Sequence, residues 1–126
     1  MEKKIINTIH APAPIGPYNQ AVLAGGQLFI SGQIPLHPST MELVTGSIAA
    51  EAHQVMQNLK AILTEAGLGF AHVVKSTIFL SDMDLFAEVN EVYGSYFEDH
   101  YPARETVAVK GLPKNVRVEI SMIAVV

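Results

Sequence analysis

Hydrophobic positions along the chain switch between two periods. Two short apolar runs, Ala21-Val22-Leu23-Ala24 and Gln27-Leu28-Phe29-Ile30-Ser31, flank Gly25-Gly26, and a two-glycine turn between such runs predicts a β-hairpin. Then the period becomes helical. Ile48, Ala52, Val55, Met56, Leu59, Ile62, Leu63 and Ala66 share one stripe, which predicts a helix over 48–66 with Ser47 as N-cap and Gly67 just past its end. The β-branched run Val73-Val74-Lys75-Ser76-Thr77-Ile78-Phe79-Leu80 predicts a strand. Phe86, Val89, Tyr93, Tyr96 and Phe97 line a second helical stripe opposite Glu88, Glu91, Ser95, Glu98 and Asp99. That predicts a helix over 84–99, stopped by Pro102. A short strand over 104–109 and a long one over 116–126 follow, the latter with Val116, Val118, Ile120, Met122 and Ala124 alternating on one face.

The order ββ(β)αβαββ predicts a single α+β domain over 1–126: a two-layer mixed sheet with both helices on one face. The sheet's other face is expected to carry Arg117, Glu119, Ser121, Ile123 and Val125 from the last strand, and Arg104, Thr106 and Ala108 from the strand before it. Such a face is too apolar for water and too polar for a sealed core, so self-association is expected to cover it.

Composition narrows the function. Of 126 residues, 49% are hydrophobic and 16% charged, which excludes disorder. No apolar run approaches the roughly 20 residues of a membrane span, and Met1 to Asn7 turns polar too soon for a signal peptide. A soluble, cytoplasmic protein is expected. There is no cysteine, so thiol catalysis and thiolate metal sites are excluded. The net charge is −4 and Lys3-Lys4 is the sole basic pair, which argues against a nucleic-acid partner because phosphate neutralisation supplies most of that affinity.

No phosphate-binding glycine loop or nucleophile elbow occurs. His10, His37, His53, His72 and His100 lack ligand spacing, and Glu51 and His53 are expected on a solvated helix face, so no metal site is expected. What remains are polar residues in apolar surroundings. Glu119 sits between Val118 and Ile120, where a carboxylate needs a partner or a raised pKa; a structural ion pair would serve equally. Arg104 opens a strand with a fork suited to carboxylates, or simply points into solvent. Asn90 borders the aromatic stripe of the second helix, as a ligand or a backbone partner. Tyr18 lies in the Pro/Gly-rich loop 11–18, as a site residue or a loop anchor.

The motifs settle on a family. Ala11-Pro-Ala-Pro-Ile-Gly-Pro-Tyr-Asn-Gln20, Ile30-Ser-Gly-Gln-Ile-Pro35, Gln57-Asn-Leu-Lys-Ala-Ile62, Val74-Lys-Ser-Thr-Ile-Phe79 and Phe86-Ala-Glu-Val-Asn90 resemble, in order, signatures of the Rid family. Tyr101-Pro-Ala-Arg104 and Leu112-Pro-Lys114 through Val118-Glu-Ile120 match its C-terminal signature. The resemblance spans nearly the whole chain and is nearest to the RidA enamine/imine deaminases. It implies a chorismate-mutase-like fold, a homotrimer with ligand clefts between subunits, no cofactor, and hydrolysis of small 2-imino acids to 2-keto acids and ammonia. By position, Arg104 would grip the substrate carboxylate and Glu119 would orient the attacking water and shuttle a proton. Tyr18, Ser31, Gly32 and Asn90 would line the cleft. Many relatives carry cysteine where this chain has Thr106, whose hydroxyl can still bond a ligand carboxylate. The family also leaves open a non-catalytic carboxylate-binding regulator, or an endoribonuclease and translation inhibitor.

Overall fold

A computed structural model describes residues 2–126. Among them, six strands form one mixed sheet: β1 (Lys4–Ile6), β2 (Ala21–Ala24), β3 (Gln27–Gln33), β4 (Val73–Leu80), β5 (Ala103–Ala108) and β6 (Val118–Val125). Their spatial order is β1-β2-β3-β6-β4-β5. Helices α1 (Ile48–Glu65) and α2 (Phe86–Gly94) cross over between β3 and β4 and between β4 and β5. β6 inserts antiparallel between β3 and β4, while β4 and β5 pair in parallel.

The hairpin, α1 and β4 lie where the pattern places them. Gly25 and Gly26 take the left-handed turn (φ 58° and 74°) that suits glycine. Ser47 accepts a hydrogen bond from the Ala50 N–H and so caps α1. The stripe from Ile48 to Leu63 is buried against Leu28 and Ile30 of β3 and Val118, Ile120, Met122 and Ala124 of β6. Both helices pack on this face. The other face, carrying Phe29, Phe79, Glu119, Ser121, Ile123 and Val107, is left partly or fully exposed.

Three expectations fail at the edges of elements. α2 ends at Gly94, not 99, and Pro102 plays no part in stopping it. Glycine has little helix propensity, and the Ser95 hydroxyl donates to the Val92 carbonyl, competing with the helix ladder. Tyr96 and Phe97 continue in turns bonded to Tyr93 and Gly94, yet Phe97 stays buried because it packs on Tyr93 and Phe70. β6 starts at Val118 rather than 116, because Lys114 and Asn115 both take φ 56° in a tight turn. The Arg117 side chain is also not on the open face: a bend carries it to buried Glu51 of α1, with Nε–Oε2 at 3.1 Å. Glu51 therefore is not on a solvated surface beside His53.

Candidate functional site

Arg104 is the register partner of Ser76 on the neighbouring parallel strand, and Ser76 is fully buried beneath α2. Arg104 therefore projects on the helix side, as do Thr106 and Ala108, which corrects the expectation that these three share the open face. Its guanidinium carbon lies over two rings of α2, 5.1 Å from the Tyr93 centroid and 5.6 Å from that of Phe86. Among the described residues Arg104 has no acidic partner. It faces a cleft of about 480 Å³ lined by Asn90, Tyr93, Gly94, Tyr101 and Pro102. Thr106 stands two residues along the same face, level with buried Ile78. Its Oγ1 is shielded from solvent and has no hydrogen-bond partner among the described residues.

Glu119 occupies the opposite face. It alternates with buried Val118 and Ile120, level with Phe79 of β4. No side chain or backbone group among the described residues pairs with its carboxylate, and burial holds its pKa above the ordinary carboxylate range. The carboxylate lies against Gly32, where a Cβ would come within 2.5 Å of Oε2, so glycine is what admits it. Gly32 sits in the register shift between Ile30 and Gln33; such bulges re-aim neighbouring groups. The adjoining Ser31 hydroxyl is committed to the Asn19 carbonyl at 2.6 Å, tying the Pro/Gly loop to β3. Tyr18 is exposed, accepts from the Ile15 N–H, and lines a narrow crevice with Gly32. Gln20 holds this loop from below, its buried amide donating to the carbonyls of Thr8, Ala11 and Pro12.

The predicted residues thus fall into two groups. Asn90, Arg104 and Thr106 belong to the helix side at edge strand β5; Tyr18, Ser31, Gly32 and Glu119 cluster around β3 and β6. Two strand spacings and three residues of register separate Arg104 from Glu119, about 14 Å between Cα atoms, and their side chains point to opposite faces. Sequence reasoning also left Tyr93 and Ser76 out of the site. Their signal was present: Tyr93 lies seven residues after Phe86 on one helical face, and Ser76 is the polar exception in the inward series Ser76, Ile78, Leu80.

A wider groove of about 560 Å³ beside α1 is lined by His10, His37, Lys60 and Asn58 among others. Its buried polar residue is already spent: the Asn58 amide donates to the Ile34 and Leu36 carbonyls, and its oxygen accepts from Gln54. Arg104, Thr106 and Glu119, by contrast, have no hydrogen-bonded or ionic side-chain partner among the described residues.

Residues 8–126 match the family model described as Endoribonuclease L-PSP. The chain is 56% identical to protein DfrA of Myxococcus xanthus over 99% of this chain and 97% of that protein. It is 49% identical to the 2-iminobutanoate/2-iminopropanoate deaminase of Bos taurus over 98% of this chain and 90% of the other. Among solved structures, Escherichia coli TdcF with bound serine superposes with a TM-score of 0.92 at 44% identity, covering 98% of both chains.

Proposed function

The chain belongs to the Rid family, whose family model carries the description Endoribonuclease L-PSP, and from that premise we propose that it hydrolyses reactive 2-imino acids and their enamine tautomers to 2-keto acids and ammonia. Its near-full-length identity to named 2-iminobutanoate/2-iminopropanoate deaminases supports the substrate class. The observation that carries the chemistry is Glu119: an unpartnered, half-buried carboxylate of raised pKa, seated on a glycine.

An imino acid is already an electrophile at C2, so the protein must hold it, aim a water and move protons. The Arg104 fork binds the substrate carboxylate, with the Thr106 hydroxyl and Asn90 beside it. Glu119 takes a proton from water as the water oxygen bonds to C2 of the iminium form and the C=N electron pair moves to nitrogen, giving a neutral carbinolamine. The carboxyl returns that proton to nitrogen; as the C–N bond breaks and ammonia leaves, the carboxylate takes the hydroxyl proton, the carbonyl forms, and the proton passes to the departing ammonia as ammonium. A carboxyl with pKa nearer the working pH serves both steps. Since Arg104 and Glu119 of one chain point away from each other, the site requires Arg104, Asn90 and Thr106 of one subunit and Tyr18, Gly32 and Glu119 of another. The half-polar face of the sheet supports such an assembly, and the family resemblance supports a homotrimer as its form.

The test of the activity is a coupled assay: 2-iminobutanoate generated by a threonine dehydratase should yield 2-ketobutanoate faster when this protein is added. Binding of the keto acid without acceleration would favour a non-catalytic carboxylate binder. The description of the family model favours RNA cleavage as a second reading, but a net charge of −4 offers no track for phosphates.

Two variants probe the halves separately. Gly32→Ala should push the Glu119 carboxylate aside while sparing the fold, because the clashing atoms end a flexible side chain. A displacement of that size should cost about 100-fold in kcat/KM, with an unchanged melting temperature; undiminished activity would mean that the seat of Glu119 is irrelevant. Thr106→Val removes an orphaned hydroxyl and should stabilise the free protein by about 1 kcal/mol. If the hydroxyl serves the substrate, KM should rise about tenfold at the same time. Thermal melting and steady-state kinetics on the one variant check both.

A further inference from the structure

We propose that Tyr93, anchored by Ser76, is the positioning residue that holds the Arg104 guanidinium ready for a carboxylate; this rests on the reading of Arg104 as the carboxylate-binding group. Arginine has many rotamers, and ordering it at the moment of binding weakens affinity. A common way to order one beforehand is an acidic partner, but that neutralises the charge and occupies the N–H donors. Arg104 has no such partner among the described residues. Two aromatic rings hold it instead, at 5.1 and 5.6 Å. Contact with a ring face attracts the cation while leaving its five in-plane donors for the ligand.

The two rings are not equally fixed. Phe86 begins α2 and is only partly buried. Tyr93 is 4% exposed and packs on Phe97 with centroids 4.9 Å apart. Its hydroxyl donates to Ser76 Oγ at 2.8 Å. Ser76 is the strand neighbour of Arg104, so the Tyr93 ring is pinned to the sheet beside the residue it holds. Burial raises the Tyr93 pKa, keeping the phenol neutral and able to donate that bond. Tyr93 acts through Arg104, so its loss should weaken binding and leave the chemical step alone.

The experiment compares the wild type with Arg104→Lys, Tyr93→Phe, Ser76→Ala and Tyr93→Leu, using 2-ketobutanoate as the calorimetric probe and the coupled assay for kinetics. The wild type should bind the probe and Arg104→Lys should not. Tyr93→Phe and Ser76→Ala should each weaken binding about threefold, and the double variant no more than either alone, since they remove one hydrogen bond. Tyr93→Leu should weaken it about 10- to 30-fold. In each, KM should rise in step while kcat and the acid limb of the pH profile stay fixed. If Arg104→Lys loses the probe but Tyr93→Phe and Tyr93→Leu bind it as the wild type does, the positioning role is wrong, and a lowered melting temperature with normal binding would show Tyr93 to be structural only. Should Tyr93→Leu fail to fold, Tyr93→Phe and Ser76→Ala decide alone. Wild-type binding by Arg104→Lys would instead overturn the carboxylate reading, and this inference with it.

Discussion

Arg104→Lys is expected to abolish detectable 2-ketobutanoate binding and to lower kcat/KM roughly 30- to 1,000-fold, a loss on the order of 2–4 kcal/mol. The charge survives this substitution, so a purely Coulombic role would predict near-normal function. Geometry predicts otherwise. A guanidinium presents parallel N–H groups to both carboxylate oxygens, whereas an ammonium is a compact point charge on a flexible stem. Lysine also gives up the delocalised cation that sits over Tyr93 and Phe86. Calorimetry with the keto acid and the coupled assay read the two effects separately. Activity within a few-fold of the wild type would show that the fork is not used.

Glu119→Gln should do the opposite: turnover disappears while the keto acid binds at least as tightly, because a negative charge near the ligand is gone. Glutamine is nearly isosteric but cannot take a proton from water. The pH dependence follows from the direction of the shift. Burial raises the carboxyl's pKa, so the basic form required for attack is lost on acidification at a pH above the ordinary carboxylate range, and the acid limb of kcat in the wild type should lie there. The same shift affects stability. A raised folded-state pKa means that the folded protein holds this proton more tightly than the unfolded chain. The penalty for ionised Glu119 is absent below the unfolded pKa and complete once pH passes the raised one. Glu119→Gln should therefore melt with the wild type in acid and above it at neutral pH. Near-normal turnover by this variant would reduce Glu119 to a structural residue.

The parts of the fold legible in the sequence were those with long, consistent periods. α1 carries an unbroken stripe from Ile48 to Leu63 and a capping serine; β4 is eight residues bounded by turns. The end of α2 was not legible because Tyr96 and Phe97 keep helical spacing after the helix has ended, drawn in by Phe70 and Tyr93. The face of β5 was not legible either. In Ala103–Ala108 both alternating sets mix apolar and polar residues, so period two shows that faces exist without saying which meets the helices; only the register with Ser76 decides it. Motifs picked out Arg104 and Glu119 as individuals. That they stand on opposite faces of one sheet depends on strand order, which a single strand's pattern does not encode.

This opposition makes the shared site testable with the two crippled variants. Arg104→Lys, at most about 3% active by the loss expected above, and Glu119→Gln, inactive, should be mixed in equal amounts, unfolded and refolded together, and assayed for 2-iminobutanoate hydrolysis. In a closed trimer whose sites each take Arg104 from one subunit and Glu119 from the next, every mixed trimer regains one intact site, so the mixture should recover about a quarter of wild-type activity. If both residues of a site came from the same chain, no intact pair could form. A mixture as inactive as its components would contradict the account.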